Sequence, residues 1–389
     1  MNFQQNIVCP DYNHSNLGII SSVLNYYAVP SSTKSSTDVD SLLAQKQPRN
    51  VIFLLIDAMG TGILNRHLPE DSFLRSHRRR DLTAVYPCTT VCVTSSFFSG
   101  LQPVSHAWLA WSLYFKEWDE CIEVFPYRDA FTGEPIDPNE KNILDFMGFR
   151  TIFEQIENNA DRKIKIDCIF TDVARQRLVQ IAGDRLTKAH TLEELFQNIE
   201  LKCAEEGDHF IIGYWKSPDD LLHNNGLSHE SVTEFLSKTD SLLEQYSPRF
   251  SDAVGIISAD HGMQDIFNHF HLDQISPLSE LMNHYPSGDP RAKAISVIPG
   301  KEDLFASRFE RELGDEFILL SADEFLRRGF LGEGPLHPKV KDFLGSFIAL
   351  GVGHSDLLYA PTGAKPPKEF KGHHAGLTED EMQVPLILF

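Results

Sequence analysis

"NVIFLLIDAMG", residues 50–60, joins an unbroken apolar run to an aspartate. A short apolar run closed by a turn signal predicts a strand buried on both faces. Strands of that kind belong to parallel sheets covered by helices on each side. Asp57 then stands at the carboxyl end of the strand, the edge where open α/β sheets bind their ligands.

The same texture recurs outward from this run. "HFIIGYW" (209–215) and "DAVGIIS" (252–258) read as further strands, and "KIKIDCIF" reads as one by alternation. "DLTAVYP" (81–87) predicts a strand ended by Pro87, and "EMQVPLILF" predicts a last strand that rejoins the sheet. Helical patterns lie between them. "TTVCVTSSFFSG" predicts a helix with hydroxyls at its start and Gly100 at its close. "TIFEQIENN" and "HESVTEFLSKTDSLLEQY" are helical, and "TLEELFQNIELKCAEEG" carries Thr191 as N-cap with Glu194 three residues on. Strands alternating with helices predict an α/β fold with a mostly parallel central sheet flanked by helices.

After residue 265 the pattern changes to strand–helix–strand–helix over "AKAISVIPGKEDLFASRFERELGDEFILLSADEFLRRG". A Pro/Gly-rich stretch, "GFLGEGPLHP", follows. The expected division is a catalytic core of residues 1–265 plus 372–389, with a smaller inserted α/β cap domain over 266–371.

The bulk composition narrows the function. The chain has 389 residues, 42% apolar and 23% charged, which is ordinary for a globular protein with a sizeable core. No apolar window reaches the roughly 18 residues a membrane span needs. The start, "MNFQQNIVCPDYNHSN", lacks a basic region followed by an apolar run, so no secretory signal is expected. Cys9, Cys88, Cys92, Cys121, Cys168 and Cys203 are scattered and form no disulfide framework. A cytoplasmic protein without a membrane partner is the expectation. The formal net charge of −20 argues against a nucleic acid polymer as partner. An anionic substrate would need local positive charge, and a metal ion is the obvious source.

Asp and His residues gather at the expected strand ends. Asp57 follows "VIFLLI"; Asp219 and His223 lie in "KSPDDLLHNNG" after a strand; Asp260 and His261 follow "VGIIS"; His374, in "GHHAGLTEDEM", precedes the last strand. Singly, each has an ordinary reading as a turn, a cap or a surface histidine. Together they converge on one edge of one sheet. Mixed Asp and His without Cys suits zinc or another divalent first-row ion. The set is too large for one catalytic zinc and fits two ions, which in such pairs sit roughly 3.5–4 Å apart. Two dications against three aspartates leave a site that an anionic phosphoryl group can approach.

In order, "LLIDAMG", "YPCTTVCVTSSFFSGLQPVSH", "SPDDLLH", "SADHGM" and "GHHAGLTEDEMQVPLI" resemble the signature segments of the alkaline phosphatase superfamily. The branch they resemble most is that of type I phosphodiesterases and nucleotide pyrophosphatases. The resemblance covers about residues 50–125, 205–265 and 370–389 and is weaker in the insertion. It implies that Asp219, His223 and His374 hold one metal and that Asp57, Asp260 and His261 hold the other, which also binds the nucleophile. It implies zinc, with manganese as the alternative. The nucleophile would be Thr90, or Thr89 if the register slips by one. His373 competes with His374, and "HAGL" fits the family's His-Gly-Gly-Leu pattern with His374. Where the family has an Asn that donates to a phosphate oxygen, this chain has Trp111; Ser112, Tyr114 and Lys116 are the candidate substitutes. Trp108, Trp111, Tyr114 and Trp118 read either as an aromatic wall for the leaving group or as packing.

The implied activity is a two-metal hydrolase that cleaves a phosphodiester or pyrophosphate bond of a small phosphorylated substrate through a phosphothreonine. The alternatives are a phosphomonoesterase or phosphonate hydrolase of the same superfamily, a phosphomutase, and a non-catalytic metal-binding protein. A sulfatase needs a Pro or Ala and an Arg after its cysteine, and neither "CTTVC" nor "CVTSS" supplies them.

Overall fold

The computed structural model describes residues 7–171 and 176–389; the first six residues of the quoted amino terminus lie outside them. Seven strands form the central sheet: β1 (Asn50–Ile56), β2 (Arg78–Thr83), β3 (Ile164–Thr171), β4 (Leu186–Ala189), β5 (Asp208–Trp215), β6 (Ala253–Ser258) and β7 (Gln383–Leu388). Their order is β2-β7-β6-β1-β5-β3-β4. β6, β1, β5, β3 and β4 pair in parallel, and β7 runs antiparallel to both of its neighbours, β6 and β2. The fold is the α/β arrangement with a mostly parallel sheet that the apolar runs predict. β1 lies at its centre and is buried along its whole length.

One strand differs from expectation. The run predicted over 81–87 pairs instead at Arg78–Thr83, and the chain leaves the sheet at Ala84, well before Pro87. β2 is an edge strand with β7 as its neighbour, so its outer side tolerates Arg79, Arg80 and Asp81 in solvent. Charged edge strands are a common protection against unwanted pairing, and they hide the strand from an apolar search.

Helices cover the sheet. Thr90–Ser99 is buried on all sides and closes at Gly100, whose φ of +72° is the left-handed conformation a C-terminal glycine supplies. Leu192–Ala204 is capped by the Thr191 side chain, which accepts from the Glu194 N–H.

Residues 266–371 contribute an antiparallel four-stranded sheet of Ser287–Asp289, Ala292–Ile295, Phe347–Gly351 and Phe317–Ser321. The helix Glu302–Leu313 packs a small core of its own through Phe305, Phe309 and Leu313. The two ends of this segment meet: Gln264 and Asp265 pair antiparallel with His373 and Gly372. A three-stranded sheet, Ser112–Phe115, Glu120–Glu123 and Arg128–Asp129, lies against the Ser287–Asp289 strand.

Candidate active site

Register explains why distant residues meet. In the parallel ladder Ile56 pairs with Trp215, and Leu55 pairs with Ser258. The three strands therefore end at one level. Asp57 follows β1 directly; Asp219 opens the helix after β5; Asp260 and His261 lie in the turn after β6. Asp57, Asp260 and His261 are fully buried, and Asp219 and His374 nearly so.

The carboxylates are individually oriented. Tyr214 donates its hydroxyl to Asp57 Oδ2 at 2.6 Å. Asp260 Oδ1 accepts the backbone N–H groups of Ala58 and His261, each at 3.1 Å. Asn16 donates to the carbonyls of Ala259 and Asp260 and accepts the N–H of Val85, so it ties the Asp260 turn to the segment leading into Thr90. Neither Tyr214 nor Asn16 is found by sequence reasoning. Tyr214 sits inside an apolar strand, and Asn16 precedes a helix where it reads as an ordinary cap.

The imidazoles share one arrangement. Nδ1 of His223 donates to the Gly372 carbonyl at 2.7 Å, Nδ1 of His261 to the Gly262 carbonyl at 2.8 Å, and Nδ1 of His374 to the Cys88 carbonyl at 3.2 Å. A carbonyl only accepts, so each Nδ1 carries the proton and each Nε2 offers its lone pair. The Nε2 atoms face the carboxylates. His223 Nε2 is 3.2 Å and His374 Nε2 3.9 Å from Asp219 Oδ1. His261 Nε2 is 3.6 Å from Asp57 Oδ1 and 3.5 Å from Asp260 Oδ2. Burial and the adjoining imidazoles hold the pKa of His374 well below the ordinary value, so it is neutral. Burial, with the charge of Asp219, pushes the Asp260 carboxyl up to about 6.

Two groups of ligand atoms lie within 4.8 Å of one another: Asp57, Asp260 and His261, and Asp219, His261 and His374. The first is the set the sequence predicts. The second brings in His261, while His223 contacts Asp219 from the side and its ring centre is 5.2 Å from that of His374. His373 spends its Nδ1 on the backbone N–H of His374 at 3.0 Å. The residues suit divalent ions on their own chemistry. Asp260 Oδ2 is buried and takes no hydrogen bond, and a buried carboxylate oxygen with no donor is costly unless a cation meets it. Imidazoles fixed through Nδ1 with Nε2 presented inward are the usual preparation for metal binding.

Thr90 is the first residue of its helix, and its Oγ1 lies 3.2 Å from His261 Nε2. Thr89, the N-cap, makes no capping bond to the helix with its side chain; it lies close enough to the Asp289 carboxyl to act on its pKa. Asp289 is buried, comes from the segment 266–371, and also accepts the backbone N–H of Trp111 at 3.3 Å. Sequence reasoning misses it because Asp289 sits in "SGDPRAK", which reads as a plain turn.

Two of the three candidate substitutes for the absent amide, Tyr114 and Lys116, are occupied elsewhere. Tyr114 donates to Asp119 at 2.6 Å and stacks on His284, and Lys116 pairs with Asp342 at 2.8 Å. Of the four aromatics, Trp108 is fully buried with its indole N–H on the Met147 carbonyl, and Trp118 packs against Phe115 and Phe146. Both are packing residues. Cys88 and Cys92 are buried in apolar surroundings that push their thiols well above the ordinary range, which suits packing and not nucleophilic attack.

A mostly parallel sheet with Asp and His residues gathered at its carboxyl edge and a hydroxyl at a helix start is an alkaline phosphatase-like arrangement. Residues 51–313 match the type I phosphodiesterase / nucleotide pyrophosphatase family, and the chain belongs to that family. Among solved structures, murine ectonucleotide pyrophosphatase / phosphodiesterase 5 shares the fold with a TM-score of 0.58 at 15% identity, over 86% of this chain and 87% of that one. An inactive form of the murine protein, in complex with AMP, gives 0.60 at 15% identity and the same coverage. Phosphonoacetate hydrolase from Sinorhizobium meliloti 1021, in complex with phosphonoformate, gives 0.63 at 16% identity over 88% and 90%. No curated protein matches this chain in sequence. Among the described residues, no helix is long and apolar enough to cross a membrane.

Proposed function

We propose that the chain hydrolyses a phosphodiester or pyrophosphate bond of a small phosphorylated substrate, with Thr90 as nucleophile. The observation that carries this reading is the place of Thr90 Oγ1, 3.2 Å from His261, the residue common to both ligand groups. Asp57, Asp260 and His261 would hold one divalent ion, and Asp219, His223 and His374 the other. Bound there, two such ions, zinc or manganese, supply positive charge for the phosphoryl oxygens and lower the pKa of the threonine hydroxyl. Thr90 Oγ1 forms the bond to phosphorus while the ester oxygen opposite it leaves. Water then cleaves the phosphothreonine and restores the hydroxyl. The backbone N–H groups at the start of the Thr90–Ser99 helix are oriented toward the phosphoryl oxygens.

The segment 266–371 acts as a cap that sets substrate choice, since Asp289 reaches the residue beside the nucleophile. Cys88, Cys92, Cys121, Cys168 and Cys203 are free and buried, which suits a reducing compartment and supports a cytoplasmic location.

Hydrolysis of bis-p-nitrophenyl phosphate faster than p-nitrophenyl phosphate, lost on chelation and restored by zinc or manganese, is the expected result. The reverse ranking assigns a phosphomonoesterase. A second reading, phosphonate hydrolysis, is favoured by Trp111 in place of an amide and by the likeness to the phosphonoacetate hydrolase. Phosphate release from phosphonoacetate, with neither ester cleaved, would select it.

A further inference from the structure

Arg291 and Glu381 are both fully buried, and neither belongs to the ligand set or the nucleophile's surroundings. Arg291 occupies the turn between the strands Ser287–Asp289 and Ala292–Ile295, in the inserted segment. Glu381 lies just beyond the loop that carries His374. The guanidinium grips the carboxylate with a fork: Nε to Oε1 at 2.6 Å and NH2 to Oε2 at 2.8 Å. Its remaining nitrogen, NH1, donates to the Ser355 carbonyl at 2.6 Å.

The same carboxylate shapes the His374 loop. Glu381 Oε1 accepts the Gly376 N–H at 2.7 Å, and Oε2 accepts the Thr378 hydroxyl at 2.7 Å and its N–H at 3.2 Å. Leu377 donates its N–H to Gly351, whose own N–H goes to the Arg291 carbonyl, each at 2.8 Å. Ala375, between His374 and Gly376, has a φ of +88°, a conformation a non-glycine residue holds only when its surroundings impose it. A side chain at Gly376 would meet the Gly351 carbonyl at 2.6 Å and Arg291 NH2 at 2.8 Å.

The other proposed ligands are held by other contacts, the Asp260–His261 turn by Asn16 and by the Gly262 N–H on the Glu381 backbone carbonyl. Asp57, Asp260 and His261 hang from strand ends, and Asp219 and His223 share one helix. A buried ion pair contributes little net stability, because both groups lose their water, but it does fix one arrangement of the parts it joins. We propose that Arg291 is a positioning residue: through Glu381 the inserted segment holds His374 at its metal. The inference rests on the two-metal reading above.

The test is zinc content and affinity, measured by competition with a chelator of known strength, on the full chain. The paired variant Arg291→Met with Glu381→Gln removes the fork without leaving a buried charge. It is expected to bind the zinc of the Asp219–His223–His374 set at least tenfold more weakly than the wild type while holding that of the Asp57–Asp260–His261 set unchanged. Arg291→Lys keeps the charge but not the fork, and is expected to show the same selective weakening to a smaller degree. It serves as the test if the paired variant does not fold, as judged by circular dichroism. Two zinc ions bound with wild-type affinity in either folded variant overturn the inference. Equal weakening of both sites overturns it as well, since that marks a general loss of structure. Fewer than two zinc ions in the wild type overturn the two-metal reading itself.

Discussion

Thr90 Oγ1 and His261 Nε2 lie 3.2 Å apart, the hydroxyl on the first turn of a buried helix and the ring on a strand end. The contact crosses the sheet's carboxyl edge and brings the hydroxyl to the Asp57–Asp260–His261 group. Thr90→Ala is expected to lower kcat on the order of 10³-fold or more, as loss of a nucleophile does. Zinc content should stay at the wild-type level, because Thr90 adds one ligand to a set of three. Steady-state rates and metal analysis on the same preparation check both halves. Near-normal turnover would remove Thr90 as nucleophile.

His261 belongs to both ligand groups, whereas Tyr214 donates its hydroxyl to Asp57. Tyr214→Phe removes one hydroxyl that orients a carboxylate. It should weaken zinc about 10–100-fold at the Asp57 site alone, the usual effect of losing an outer partner. His261→Ala removes a proposed ligand of that same site and should weaken it by more. Chelator competition separates the two patterns. An alanine at 261 that weakens both sites equally would show that His261 serves both metals.

Asp260 gives the metal-stripped protein a pH dependence whose sign can be worked out. Its carboxyl is raised to about 6 in the folded chain, from 3.8. Below pH 4 the group is protonated in both states and has no effect. Between about 4 and 6 the unfolded chain releases the proton while the folded chain still holds it, so stability falls as pH rises. Above 6 the full penalty is present. Chelator-treated wild type should therefore resist urea better at pH 5 than at pH 7. Asp260→Asn should flatten that difference and be the more stable protein at pH 7. A stripped wild type equally stable at both values would contradict the buried, uncompensated carboxylate.

Much of this site is legible because its residues follow apolar strands. Asp57, Asp219, Asp260 and His261 are found by strand ends alone, since a parallel ladder aligns the carboxyl ends of β1, β5 and β6. His374 is found by the pattern around it, with Ala375 standing where that pattern has glycine and holding a φ of +88° that favours glycine. What the sequence hides is pairing across the insertion. Asp289 and Arg291 share a short turn with no periodicity, and nothing local shows that both are buried against the core. β2 is hidden for the opposite reason: an edge strand carries charge where a search for strands expects apolar residues. The length of Thr90–Ser99 is legible from its hydroxyls and Gly100, but nothing near Thr89 in sequence shows that Asp289, 200 positions later, turns in beside it.

That turn predicts how the site discriminates between substrates. Asp289 accepts the Trp111 N–H and engages Thr89, one residue from the nucleophile. Burial raises its pKa, while Lys293, the next titratable group along its own hairpin after Arg291, acts to lower it. When ionised, that carboxylate repels a dianionic phosphomonoester more than a monoanionic diester. Asp289→Asn keeps an oxygen for the Trp111 N–H and removes the charge. The ratio of kcat/KM for p-nitrophenyl phosphate to that for bis-p-nitrophenyl phosphate should rise about tenfold, equivalent to about 1.4 kcal/mol between the two transition states. The diester rate itself should change little, because the wall between Thr89 and Trp111 is preserved. A ratio that does not move would show that Asp289 holds the wall without setting the charge preference. A diester rate that collapses would show that its negative charge, and not its shape, is what orients Thr89.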